Sequence, residues 1–513
     1  MNILAAEGSV STSIDFWPLV ILLVSVAWVV FGITKLRLHP FLTLILAAVL
    51  VGLMTGPLPE LTTENKGLFH SRVALQETPE GGTSDMIKAV KWSLLGFGNT
   101  AAGIGWVVAL AAMIGTCMMA SGAADRVVRS LMATFGEKRA GLVLLLSGFL
   151  LSIPVFFDTV FFLLIPLARA LALRTGKHYT FYVMAMAGAG AITHSMVPPT
   201  PGPLMIADGL KLDLGVAMMA GLVASLLPAI LVLRMAAWFD KKYDLPMRDV
   251  AGTSSEELKS IVNKKDEELP PLFLSALPIA FPVVVISAVS VLKLMMKSAE
   301  EGSALASEGY LAFFEYLSFV GSPNVAMTVA AAAAIYTLVK QFVRESAGRD
   351  LDMSRKLQKT LESPLGTAGV IILITGAGGA FGGMIRLAGV GEVIETLAKE
   401  FDVSYILLAW LATAIVRIAQ GSATVSMITG VGLMSAVIGD GSDLAYHPLY
   451  VFLAIGFGSI TLSWMNDSGF WVVQRLSGFT EKETLKTWSV LLTAIALTGL
   501  VMTLLGSVLL PLK

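Results

Sequence analysis

The sequence is poor in charge, almost free of cysteine, and without nucleotide-binding or hydrolase signatures. Only 14% of its 513 residues are charged, against about a quarter in soluble domains. Hydrophobic residues make up 55% and the mean hydropathy is +0.78. A water-soluble surface for a chain this long is therefore missing. The single Cys117 lies in an apolar run, which leaves no disulfide framework and no cysteine metal site. The five histidines form no HExxH, and neither a Walker A sequence nor GxSxG occurs. These absences argue against ATP-driven pumping by this chain and against an enzyme, and they call for no organic or metal cofactor. A formal charge of −1 gives no basis for a nucleic-acid partner. Glu7 and Asp15 precede the first apolar run and no Lys or Arg comes before Lys35, so that run is expected to stay as a helix rather than serve as a signal peptide.

What is present is a series of fourteen apolar segments, from 16–33 to 487–509. Two adjacent pairs are short, 141–152 with 155–172 and 403–416 with 424–438. At 1.5 Å per residue the shortest cannot cross a hydrocarbon core of about 30 Å. Such pairs read as re-entrant hairpins. The expected fold is an all-α integral membrane protein with about ten full transmembrane helices, two hairpins, and scaffold and transport subdomains.

The halves resemble each other. Residues 188–195 (GAGAITHS) match 456–463 (GFGSITLS) at five of eight positions with an offset of 268, and Gly202 matches Gly469 at 267. Residues 121–128 echo 388–395 at the same 267. After Gly122 the chain is basic (Arg126, Arg129, Lys138, Arg139), whereas after Gly389 it is acidic (Glu392, Glu395, Glu400, Asp402 against Lys399). An arrangement with the N-terminus outside places 25 of the 36 basic residues on one face, the cytoplasmic one by the positive-inside rule. The expectation is two inverted repeats, 1–239 and 271–513, joined by a cytoplasmic linker at 240–270. Alternating-access transporters use this arrangement.

Each half breaks its helices twice. Hairpin tips fall at 152–159 and 417–424, and interrupted helices at 194–203 and 463–470. Proline removes backbone donors and glycine permits φ > 0, so such breaks are tolerated inside a membrane only around a polar cavity. Helix N-termini exposed there would favour an anion. Arg417, between two apolar runs, reads as an anchor for an anionic substrate, as a partner of an internal Asp, or as a side chain snorkelling to the surface. Asp158 and Asp467 are the acids within the breaks and the candidates for proton coupling, with helix capping as the competing role. His194 could shuttle protons or simply pack. Ser195, Thr200, Gln420, Ser422, Thr424, Asn466 and Ser468, with Gly202 and Gly421 beside them, suit a polyhydroxylated ligand. The run 376–383, rich in glycine, reads as close helix packing.

Several motifs carry a family resemblance: KLRLHPF (35–41), IPVFFD (153–158), VPPTPGP (197–203), IAQGSAT (418–424), NDSGFW (466–471) and KTWS (486–489). With these the chain resembles the gluconate permease (GntP) family of the ion transporter superfamily. The resemblance implies proton-coupled symport of gluconate or a related sugar or hydroxy acid. It also implies inverted repeats, two hairpins and a homodimer in the bacterial cytoplasmic membrane, with a small anion and membrane lipid as partners. Relatives that carry D-serine or other small acids leave the substrate open, and Na⁺ is an open alternative as coupling ion. The polar stretch 57–92 is long for the family. An intramembrane hydrolase built on Ser195, His194 and Asp158 is disfavoured, because Ser195 and His194 are adjacent and no elbow motif surrounds the serine.

Overall fold

A computed structural model describes residues 15–59, 84–248, 266–297, 308–346, 352–393, 396, 404–439, 441 and 444–512. Glu395, Lys399, Glu400 and Asp402, and most of the polar stretch and of the linker, lie outside the described residues. Every regular element described is helical. In chain order they are α1 (Trp17–Thr34), α2 (Pro40–Met54), α3 (Asp85–Ser121), α4 (Ala123–Phe135), α5 (Ala140–Leu151), α6 (Phe157–Thr175), α7 (Tyr179–Met196), α8 (Pro201–Gly209) and α9 (Leu214–Tyr243). There follow α10 (Leu272–Lys297), α11 (Glu308–Val320), α12 (Pro323–Ser346), α13 (Met353–Leu387), α14 (Tyr405–Gln420), α15 (Ala423–Val437), α16 (Leu449–Gly458), α17 (Ser468–Ser477) and α18 (Glu481–Leu509, with a π turn at Leu485–Ser489).

Six helices, α3, α9, α10, α12, α13 and α18, are long and apolar enough to cross a membrane. Their outward side chains, such as Trp106, Val223, Phe273 and Val508, are exposed and apolar, a surface that water-soluble monomers avoid. Hydropathy alone marks the apolar run of α3 from about Thr100. The helix in fact begins at Asp85, inside the polar stretch, because Lys88 donates to the Leu58 carbonyl and Trp92 to that of Pro59. Tertiary partners thus secure a polar first turn that hydropathy does not mark.

A series of six helices occurs twice. α3, α5, α6, α7, α8 and α9 begin at 85, 140, 157, 179, 201 and 214, and α13, α14, α15, α16, α17 and α18 begin at 353, 405, 423, 449, 468 and 481. The long α3 and α13 pack against each other along their lengths, and α13 also packs on α2 and α15. The glycine run is a packing seam. A Cβ on Gly378 would stand 1.7 Å from Ile428 Cγ2, one on Gly379 1.9 Å from Thr100 Oγ1, and one on Gly382 2.6 Å from the Gly432 Cα.

Candidate functional site

The four breaks form for local reasons. α7 ends at Pro198–Pro199, whose rings remove the next donors, and α8 restarts with Pro201 in its first turn. α14 ends on Gly421 in the left-handed region, φ 87°, and Ser422 then caps α15 by accepting from the Val425 amide. Asp467 caps α17 through Oδ1, which accepts from the Gly469 amide at 3.0 Å. At the other tip α6 begins just after Pro154, with Asp158 in its first turn.

These breaks meet around a cavity of about 460 Å³. Its wall includes Pro154–Thr159 of the first tip, His194 and Ser195 at the end of α7, and Arg417, Ser422 and Thr424 of the second tip. Asp467, Ser468 and Gly469 open α17 onto it, Trp488 of the π turn closes one side, and α3 and α13 supply Thr116, Ser363 and Thr367. The N-termini of α6, α15 and α17 therefore all face one space, each bringing partial positive charge.

Arg417 is 3% exposed, so the snorkelling alternative does not hold. Its Nη2 donates to Asp467 Oδ2 at 2.5 Å, while its Nε and Nη1 are buried without a hydrogen-bond partner among the described residues. The internal pair is therefore present, and it leaves two donors of the same side chain unused among the described residues. Asp467 Oδ2 also accepts from Ser463 Oγ, and Ser463 Oγ accepts in turn from Trp488 Nε1 at 2.7 Å. A relay therefore runs from the π turn through Ser463 and Asp467 to the guanidinium, and π turns recur at functional positions. Ser463 and Trp488 were not among the candidate ligands. The sequence signals were Ser463 at the edge of the internal repeat and at the start of the 463–470 break, and Trp488 in a family motif.

Asp158 faces the cavity beside Phe156 and Phe157, and Phe157 stacks on Trp488 and on Phe161. Asp158 makes no hydrogen bond or ion pair among the described residues. The His194 Nδ1 atom is buried without a partner, and its ring meets Phe156 edge-on.

Five candidates stand behind the wall rather than on it. Thr200 Oγ1 donates to the carbonyls of His194 and Val197, and Gly202 leaves room for Met427. Gln420 Nε2 donates to the Ser422 carbonyl, and Asn466 Nδ2 donates to those of Ile418 and Ala419. Their polar groups satisfy backbone freed by the breaks. Gly421 lies so close to the second break that a Cβ would stand 2.2 Å from the Asn466 carbonyl oxygen. Gly421→Ala should lower uptake by about tenfold or more, through a left-handed alanine costing roughly 1–2 kcal/mol and the clash. Gly439→Ala, also at positive φ but facing open space, is the control. Equal effects in the two variants would show that contact between tip and break is unimportant.

The fold has a solved structural counterpart. The solved structure of the Neisseria gonorrhoeae antimetabolite efflux pump MtrF superposes with a TM-score of 0.58 at 14% identity, covering 92% of this chain and 96% of that one. The fold is that of a multi-pass helical membrane transporter. Sequence comparison narrows the class. The model of the family described as "GntP family permease" matches residues 17–66 and 82–509, and the chain belongs to that family: it is a transporter, not an enzyme. It is 33% identical to the gluconate permease of Pseudomonas aeruginosa over 97% of this chain and 99% of the relative. It is 28% identical to the Gnt-II system L-idonate transporter of Escherichia coli over 94% and 97%.

Proposed function

We propose that this permease takes up gluconate, or a closely related small hydroxy acid, together with a proton, by alternating access. One observation carries the reading. A buried guanidinium has two nitrogens without a partner among the described residues, at a cavity whose wall also offers hydroxyls, helix N-termini, His194 and the carboxylates of Asp158 and Asp467. Leaving such groups unpaired is costly, and an anionic, hydroxyl-bearing ligand that accepts from Nη1 on one edge and from Nε on the other would remove the cost through charge-assisted hydrogen bonds. Ser195, Ser422, Thr424 and Ser468 then face the hydroxyl-bearing carbons. The names of the gluconate and L-idonate relatives agree with this ligand class.

Asp158 is the leading proton carrier, since it reaches the cavity without an internal partner, and Asp467 and His194 are the other candidates. The twofold series of helices supports the inverted-repeat plan, with α5–α6 and α14–α15 as the re-entrant hairpins and 240–270 as the linker between the repeats. In this reading the chain works as a homodimer in the bacterial inner membrane with its N-terminus outside.

Proteoliposomes with an alkaline interior should accumulate labelled gluconate, and a protonophore should abolish the accumulation. Accumulation that persists with the protonophore, or that follows an imposed Na⁺ gradient instead, overturns proton coupling. Competition by gluconate, L-idonate and D-serine ranks the substrates, and failure of the sugar acids to compete overturns the substrate reading.

A further inference from the structure

A second cavity of about 200 Å³ lies between α3, α8, α13 and α15. Its polar wall is Asn99, Thr100, Asp208, Lys211, Arg386 and Ser435. The first cavity meets α13 at 363–371 and this one meets it at 378–386, so their centres are roughly 22 Å apart along that helix. The same order holds elsewhere. α3 lines the first cavity from 111–116 and the second from 96–100, and α15 lines the first at its tip and the second from 428–435. The seam of Gly378 against Ile428 and Gly382 against Gly432 walls the second cavity, and Gly202 packs on Met427 nearby.

Arg386 gives this cavity its character. Its Nη2 donates to the Ser435 carbonyl at 2.9 Å, and its Nε is buried with no hydrogen-bond partner among the described residues. It forms no ion pair among the described residues. Two cations, Arg386 and Lys211, face one acid, Asp208, which leaves a net positive charge. A half-buried guanidinium with a free donor and no ion pair among the described residues is suited to a carboxylate, and the hydroxyls of Thr100 and Ser435 and the amide of Asn99 line the same cavity.

We infer that the second cavity is a second binding station for a small hydroxy-carboxylate, with Arg386 meeting the anion on the far side of the glycine seam from Arg417. The inference rests on the transport reading and extends it from one anion site to two along the interface of α3 and α13 with the broken helices.

The test is equilibrium binding of labelled gluconate to the purified full chain. The wild type should bind about two equivalents, Arg386→Gln one, Arg417→Gln one, and the double variant none. Lys211 is exposed, so Lys211→Gln keeps the fold and should weaken only the second site, by up to about fivefold. A single equivalent that disappears in Arg417→Gln and is untouched by Arg386→Gln and Lys211→Gln overturns the second station and leaves the transport reading intact. A single equivalent lost in Arg386→Gln and kept in Arg417→Gln supports the Arg386 site and overturns the assignment of Arg417. Absence of saturable binding in the wild type overturns both.

Discussion

Arg417→Gln is expected to reduce gluconate uptake to background while the protein still inserts. The loss has two sources. The substrate carboxylate loses its donors, and Asp467 keeps only Ser463 and the Gly469 amide as partners. Breaking a buried ion pair from one side costs about 3–5 kcal/mol, so a hundredfold or greater loss is the scale. The double variant Arg417→Gln with Asp467→Asn separates the sources, because it restores charge balance without restoring the guanidinium. If Arg417 recognises the anion, the double variant stays inactive although its thermal stability recovers. Recovery of uptake would mean that Arg417 serves only to neutralise Asp467. Arg417→Lys should fall between, since an ammonium keeps the charge but not the planar fork.

Asp158→Asn should leave exchange of labelled for unlabelled gluconate intact and abolish accumulation driven by a pH gradient. The substitution is nearly isosteric and the carboxylate makes no internal hydrogen bond among the described residues, so the fold has little reason to change. An amide cannot carry a proton across the conformational cycle. The accumulation ratio should therefore drop to about one and stop responding to the direction of the gradient, whatever the exchange rate. If accumulation still follows the gradient as in the parent, the proton is carried elsewhere, with Asp467 and His194 next to test. Exchange and accumulation are measured on the same vesicles, so a folding defect would appear as the loss of both.

Much of this was legible in the sequence because the physics was local. The two short apolar pairs became α5–α6 and α14–α15 within a few residues, since Pro154 and Gly421 act on the backbone that carries them. The glycine run read as helix packing and is a seam between α3, α13 and α15. Arg417 was conspicuous because a guanidinium in an apolar run needs a reason. What was not legible depended on distant partners. The start of α3 rests on contacts with residues 58 and 59. The link from Trp488 through Ser463 to Asp467 joins side chains up to 25 positions apart, and no periodicity announces it. Thr200, Gln420 and Asn466 illustrate the converse. Polar residue types near a break are as useful to the broken backbone as to a ligand, and only geometry tells which they serve.

The contact between Gly382 and Gly432 has a consequence for motion. Where two helices touch through bare main chain, no rotamers need to be frozen or released as one shifts against the other, so the side-chain entropy that resists most interfacial rearrangements is absent. This one contact is smooth in the mechanical sense, although Gly378 and Gly379 beside it seat the Ile428 and Thr100 side chains. It is also intolerant, because a single added methyl group on Gly382 would stand against main chain that has no rotamer with which to yield. In the alternating-access reading proposed above, a permease whose helices slide at this contact gains from the first property and is bound by the second.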